Sequence, residues 1–443
     1  MKFALLWTDS CLLVVVALGV IFVGMGLRKS PMRRAFKRII SKPIAASSGI
    51  VLLFFLLIGV LDSIHTEEAN KSSSVLDRIM APVGDQYEKT YSAPIALDLF
   101  TTETMSKNGQ VQQMHPRLKY PPPKMNSEAL KWQFIEKALY QSLLLDGTVL
   151  LVLLLLFALY QKGVKKGARI RFSAAQISAL GTLFLCLFFI FSSFAISREL
   201  HVLGTGKIGQ DIFYYAVKSI RTGLIIGILT TLFMMPLALA LGIAAGFFGG
   251  WVDDVIQYIY TTLSSIPGVL LITASVLSMQ TYIANHPEQF TSLAQNADAR
   301  LLALCLILGV TSWTSLCRLL RAESLKLREI DFVIAAKAMG TSNIKILYKH
   351  LLPNLMHIVV ITLVLDFSFL VLAEAVLAYV GVGVSPMTIS WGNMINAARL
   401  ELAREPVVWW PMLAAFVFMF TLVLASNLFA DVVRDAFDPR RAD

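Results

Sequence analysis

"IAAKAMGTSNIKILYKHLLPN", residues 334–354, lies between two strongly apolar runs, roughly 301–317 and 356–379. Each run is about the length a helix needs to cross a hydrocarbon core of about 30 Å. The stretch between them is basic and helix-forming, carries one central glycine (Gly340) and is closed by Pro353. It therefore reads as a surface connection between two membrane helices. The whole chain supports that reading: of 443 residues, 56% are hydrophobic and only 15% charged, with mean hydropathy +0.67. A soluble domain is nearer half apolar and a quarter charged. The fold class expected is an all-α membrane protein, because isolated segments in lipid must satisfy their own backbone hydrogen bonds.

Nine candidate spans emerge, at roughly 11–27, 45–62, 143–160, 175–196, 219–248, 254–279, 301–317, 356–379 and 409–430. Three inter-span stretches are rich in Lys and Arg: "RKSPMRRAFKRIISK" (28–42), "QKGVKKGARIR" (161–171) and "CRLLRAESLKLREI" (317–330). Counting crossings from any one of them puts the other two on the same side, which the positive-inside rule makes cytoplasmic. Residues 63–142 and the N-terminus are then outside, and the C-terminus inside. The first span lacks a basic leader and a small-residue cleavage site, and reads as a retained anchor.

The net charge of +10 concentrates in those stretches, a pattern that suits anionic lipid rather than nucleic acid. Cys11, Cys186, Cys305 and Cys317 sit in or beside apolar runs without paired spacing, and read as small hydrophobes. No phosphate-cradling glycine loop ending in Gly-Lys-Ser/Thr occurs, nor a nucleophile elbow, nor a His/Cys cluster. The expectation is a chain that is not an enzyme, with no catalytic residue, cofactor or metal of its own.

Locally, "FVIAAKAM" is a helix former in which Ala335, Ala336 and Met339 are expected to project together. Gly340 can close that helix in the left-handed conformation, after which Thr341, Ser342 or Asn343 can cap a second helix. Pro353 is expected to bar simple continuation into the next span. The product is a short, stiff helix-turn-helix at the membrane face. Residue chemistry alone equally allows an interfacial helix whose Lys337, Lys345 and Lys349 rest on headgroups.

Other stretches narrow the choice. "HVLGTGKIGQDIFYYAVKSIRTGLIIG" (201–227), "LGIAAGFFGGWVDD" (241–254), the elbow itself, "VGVGVSPMTISWGNMI" (380–395) and "LASNLFADVVRDAFDPR" (424–440) closely resemble the C-type permease subunit of dipeptide and oligopeptide ABC importers. The resemblance runs over about 200–443, and 34–62 looks like that family's first span, which implies a core of six spans within about nine. Residues 1–33 would be an additional anchor and basic loop, and 63–199 an insertion holding an outer segment and two additional spans. Whether that outer segment is an ordered insertion or a loose loop stays open.

The resemblance implies that 318–354 is the cytoplasmic coupling loop on which a separate ATPase acts, with Ala335, Ala336, Met339, Gly340, Thr341, Ser342 and Pro353 carrying it, although the family's leading Glu is Ile334 here. It implies a second permease chain, two ATP-binding cassette subunits that hold ATP and Mg, and a soluble or lipid-anchored binding protein, all at a bacterial inner membrane. Gly204, Thr205, Asp211, Trp391 and Gly392 would receive the binding protein, though the family's usual Asp and Arg are Gly206 and Gln210 here. Dipeptides, longer peptides, peptide antibiotics and nickel chelates are all compatible cargos. A channel or scaffold working without an ATPase is the competing reading. A secondary transporter would be expected to show two halves with paired broken helices, and no such symmetry is seen.

Within the spans, Gly242 and Gly246 lie one helical turn apart and suit close helix crossing. Gly249 and Gly250 suit a tight turn. Asp366 and Glu374 interrupt one apolar run, where a carboxylate costs about 2.5 to 3.5 kcal/mol. Each is either a wall of the translocation path or an interhelical anchor.

Overall fold

The computed structural model describes every residue except 1, 4–5, 27, 29, 69–70, 108–109, 165–172, 287, 289–291 and 438–443. Most of the basic 161–171 stretch and the last residues of the C-terminal one therefore lie outside the described residues. In chain order the elements are β1 (Lys2–Phe3), α1 (Trp7–Gly26), α2 (Ser30–Ser41), α3 (Pro43–Ser63), β2 (His65–Glu68), β3 (Lys71–Ser74), α4 (Val75–Ile79), α5 (Ala81–Gly84), β4 (Glu103–Lys107) and β5 (Gln110–Met114). Then come α6 (Glu128–Val164), α7 (Ala174–Ser197), α8 (Ile212–Phe248), α9 (Gly250–Ser265), α10 (Gly268–Asn285), α11 (Leu293–Arg328), α12 (Asp331–Ala338) and α13 (Asn343–Ile346). A π-turn at Leu347–Leu351 leads into α14 (Leu352–Val380), followed by α15 (Trp391–Arg399), a short 3₁₀ turn and α16 (Trp410–Phe437).

Nine helical stretches among the described residues are long and apolar enough to cross a membrane. One expected span is corrected. The run 254–279 is not continuous: it breaks at Ile266 and Pro267, and the membrane-length helix is α10. Pro267 has no N–H to donate, and its ring forces the preceding residue out of the helical region. Ile266 is accordingly extended, at φ −87° and ψ 131°.

The chain forms two compact units whose borders cut across the divisions drawn from sequence. The first comprises residues 1–4, 36–221 and 389–429. In it α7 packs between α3 and α6, and the hydroxyls of Ser47 and Ser178 meet at 2.5 Å. The outer part of the 63–199 stretch is ordered around a small core of Leu97, Met125, Ile135, Ala138, Ile196 and Leu200. Strands β1, β2 and β3 form a small antiparallel sheet in that order, with Phe3 opposite Thr66 and His65 opposite Ser74. Helix α4 starts with a reciprocal cap in which Ser74 and Asp77 satisfy one another's backbone N–H.

The second unit comprises residues 5–35, 222–388 and 430–443. Its core joins α8, α9, α11 and the elbow through Met234, Phe247, Trp313, Leu320, Val333 and Leu351 among others. The N-terminal helix α1 is part of this unit: Leu12 is fully buried, and Asp298 of α11 accepts hydrogen bonds from the backbone N–H of Trp7 (2.8 Å) and Thr8 (3.2 Å). Helices α8 and α11 approach closely at Gly242 and Gly246, where an added Cβ would lie 2.8 Å from the Cys317 carbonyl oxygen and 2.4 Å from Ser324 Cβ. All four cysteines are free thiols.

Candidate functional site

The elbow grows out of α11, whose last turn carries Lys326 and Arg328 near the carbonyl-rich, partially negative helix end. After Ile330 the chain re-enters helix as α12, with Asp331 in its first turn. The helix ends with paired bonds from Gly340 N–H to the Lys337 carbonyl (3.0 Å) and from Thr341 N–H to the Ala336 carbonyl (3.1 Å). That is a Schellman ending, which needs a left-handed residue between helix and exit. Gly340 provides it, at φ +77°. No atom lies within 4 Å of where its Cβ would be, so backbone conformation, not crowding, selects glycine there. Ser342 begins α13 without a side-chain cap.

Two expectations about this elbow are corrected. Ala336 does not share a face with Ala335 and Met339; it is buried beside Val333, while the other two are exposed. Three residues of helix rotate a side chain by about 300°, so the seam against the bundle takes 333 and 336 and leaves 335 and 339 outside. Pro353 does not stop the chain either. The π-turn at Leu347–Leu351 widens the backbone just before it, and Pro353 sits in the first turn of α14, where no N–H is required. Residues Asn343–Val380 consequently form one near-continuous helix of 38 residues, about 57 Å long at 1.5 Å per residue.

The elbow's inner face, Val333, Ala336, Ile346 and Leu351, is buried with the core. Its outer face is apolar as well: Met339 is 79% exposed, Ile344 78% and Tyr348 75%. Lys337, Lys345 and Lys349 stand among them, also exposed. On the same unit, Arg321 of α11 grips Asp253 of α9 at two points, Nε to Oδ1 at 2.5 Å and Nη2 to Oδ2 at 2.6 Å. The guanidinium of Arg321 holds the Asp253 carboxyl below its usual range, against a smaller opposing effect of burial. Gly249 and Gly250, both at positive φ, make the turn that delivers Asp253. Farther along the unit, Glu374 is buried and Asp366 half-buried.

In the first unit, the residues expected to receive a binding protein are interior. Thr205, Asp211 and Trp391 are at most 2% exposed, and Gly204 and Gly392 are buried. Trp391 donates its Nε1–H to the Ala216 carbonyl (2.9 Å) and Trp410 donates to the Thr205 carbonyl (2.9 Å). Thr205 Oγ1 donates to the Thr90 carbonyl (2.8 Å) and accepts from Ser92 N–H (2.7 Å). Gly204, at φ +71°, lets the loop approach so closely that a Cβ would meet the Ser92 carbonyl at 2.4 Å. The physical reason is the outer segment, whose Glu88, Thr90 and Ser92 lie directly against the 204–209 loop. Trp391, expected to help receive a binding protein, is instead packed inside against Phe55 of α3 and Ala216 of α8.

A buried charged cluster lies beside this loop. His201 and Asp211 lie 2.6 Å apart, fully buried, with Glu88 at 3.8 Å from the other ring nitrogen. Glu88 also accepts from the backbone N–H of Lys119 (3.1 Å) and Tyr120 (2.8 Å). Burial alone would lower the pKa of His201, but the two carboxylates outweigh it and raise it to about 9. The available signal was a His and an Asp ten residues apart at the mouth of a span. Among the described residues no His/Cys/Asp/Glu group is arranged to hold a metal.

A polytopic helical bundle, with a stiff elbow between two spans and no catalytic cluster among its described residues, has the build of a transporter's membrane subunit. Residues 238–443 match the family described as binding-protein-dependent transport system inner membrane component. The dipeptide transport system permease protein DppC of Lactococcus lactis is 31% identical over 246 residues, 56% of this chain and 66% of that protein. The glutathione transport system permease protein GsiD of Pectobacterium atrosepticum is 31% identical over 54% of this chain and 73% of its own length. The oligopeptide transport system permease protein OppC of Mycobacterium tuberculosis is 28% identical over 54% and 76%. The chain belongs to this family and is a multi-pass permease subunit of the ABC-importer type.

Proposed function

We propose that this chain is the C-type membrane subunit of an ATP-driven importer of dipeptides or oligopeptides, and that the elbow at 318–354 receives the stroke of a separate ATPase. The similar proteins named for dipeptide, glutathione and oligopeptide transport support the cargo class. The observation that carries the coupling role is the exposed apolar row Met339, Ile344 and Tyr348, set on helices whose opposite faces are locked into the core. An exposed apolar cluster on a rigid support suits a protein partner. A push there is delivered directly to α14, because α13, the π-turn and α14 are nearly one rod.

In this reading two ATP-binding cassette subunits hold ATP and Mg and perform the hydrolysis. A second permease chain completes the path, and a periplasmic or lipid-anchored binding protein delivers cargo. The membrane is a bacterial inner membrane, with the N-terminus outside and the elbow and C-terminus in the cytoplasm. Nucleotide-driven closure moves the elbow, tilting α11 and α14 so that access alternates. Asp366 and Glu374 serve as path wall or helix anchor on α14. The test is Gly340→Val in the reconstituted complex. A β-branched residue at φ +77° costs about 1 to 3 kcal/mol of local strain, and substrate-stimulated ATP hydrolysis should be lost while membrane insertion persists. Unchanged stimulation would refute the coupling role, and a chain that purifies without any ATPase would favour a channel or scaffold.

A further inference from the structure

The end of α11 opposite the elbow carries a recess. Arg300 lies 28 residues before Arg328 on this helix, about 42 Å along its axis. Arg300, Gln280 and Met279 line the recess with Val276, Leu304 and Gly383. It is a narrow crevice of about 10 Å³, room for about one water-sized group, that opens at its mouth. Arg300 belongs to a membrane-length helix, and its Nε is buried without a hydrogen-bond acceptor. No carboxylate lines the recess. Asp298, two residues earlier and on the opposite side of α11, is instead engaged by the backbone N–H groups of Trp7 and Thr8. A buried donor without an acceptor is costly unless something occupies it.

We propose that Arg300 and Gln280 form a binding site for the terminal carboxylate of a transported peptide. The proposal rests on the peptide-import reading and names what that cargo offers this chain. A guanidinium fork matches a planar carboxylate at two points, and the Gln280 amide adds a neutral donor beside it. The narrow floor suits a chain end better than a phosphodiester with two arms. Peptides of any sequence share this one group, so a permease that reads only the terminus passes many cargos. Gly383 contributes backbone to the rim, packed so close to α14 that an added Cβ would lie 2.8 Å from Ala378 Cα.

The test uses the complete transporter in proteoliposomes, comparing uptake of a free-acid tripeptide with uptake of its C-terminal amide. The same binding protein serves every variant, so only a change in the acid-to-amide preference reports on this chain. Loss of a charged hydrogen bond predicts that Arg300→Gln raises KM for the acid about tenfold and removes the preference. Arg300→Lys should keep part of it, retaining charge without the fork. An unchanged preference with robust uptake overturns the assignment alone. Failure of Arg300→Gln to co-purify with its partner subunits overturns it in favour of a subunit contact. Loss of the wild-type preference in vesicles of neutral phosphatidylcholine overturns it in favour of an anionic lipid. A wild-type complex that imports neither peptide overturns the cargo reading, and this assignment with it.

Discussion

His201 Nδ1 and Asp211 Oδ2 lie 2.6 Å apart with both side chains buried, and this pair ties the loop after α7 to the start of α8. Asp211 also accepts from the Tyr214 backbone N–H at 2.9 Å, so it caps the helix while holding the imidazole. Glu88, which lies 3.8 Å from the other ring nitrogen, brings in the outer segment.

The pH dependence follows from that arrangement. His201 is raised to about 9, so its contribution is complete below the ordinary value of about 6.5 and is lost as pH rises through about 9. Glu88 is opposed by its own burial, but the nearby His201 and hydrogen bonds from the Lys119 and Tyr120 backbone lower it overall. Its contribution is complete above the ordinary carboxylate range and is lost as pH falls through the lowered value. Thermal unfolding of the purified chain should therefore be most resistant between about pH 5 and 6.5, and resistance should fall as pH rises toward 9. His201→Ala should cost about 3 to 5 kcal/mol, because it leaves two buried carboxylates without their cation. A flat pH profile for the wild type would contradict this.

Gly246 tests the α8–α11 crossing. Alanine there would place Cβ 2.4 Å from Ser324 Cβ and 2.6 Å from the Arg321 carbonyl oxygen, and overpacking of this kind costs about 1 to 3 kcal/mol. Gly147 of α6 is the control, since nothing lies within 4 Å of its Cβ position; Gly147→Ala should be neutral or slightly stabilising. Differential scanning fluorimetry in detergent separates the two, and equal melting temperatures would refute the close crossing.

Much of this was legible in the sequence, and the misses have a common physical origin. Span positions follow from apolar length, and left-handed glycines such as Gly340 and Gly249 follow from their place after a helix. Periodicity did not reveal which face of α12 is inner, because Val333, Ala335, Ala336 and Met339 are all apolar or small. Pro267 and Pro353 look equally obstructive in one dimension, yet one breaks a helix and the other is absorbed by a π-turn. The choice is made by backbone geometry that composition does not encode. Burial of Thr205 depended on Thr90 and Ser92, more than a hundred residues away in sequence, and burial of Trp391 on Phe55 and Ala216, farther still.

Trp391 yields a sharper prediction. It is 1% exposed, hydrogen-bonded to the Ala216 carbonyl, and edge-on to Phe55 at 6.4 Å. Trp391→Ala should destabilise by about 3 to 5 kcal/mol, and Trp391→Phe by less, through loss of the donor and some volume. A residue serving only as a docking contact would instead change binding-protein affinity at constant stability. Measuring both quantities on the Phe variant decides which role it has.

The elbow allows the same separation of folding from coupling within a few residues. Met339→Glu and Ile344→Glu put charge on positions 79% and 78% exposed, where a carboxylate stays hydrated and surface substitutions are usually within about 0.5 kcal/mol. Val333→Glu, at 2% exposure, forces the same carboxylate into the core beside Leu320 and Leu351, an unpaired buried charge of the kind that unfolds domains. The first two variants should insert and melt like wild type yet fail to retain the ATPase on co-purification. The third should lose stability before any question of partners arises. If Met339→Glu and Ile344→Glu kept the ATPase and its substrate stimulation, the exposed apolar row would belong to the lipid surface, where a glutamate among Lys337, Lys345 and Lys349 would merely weaken attachment to anionic headgroups.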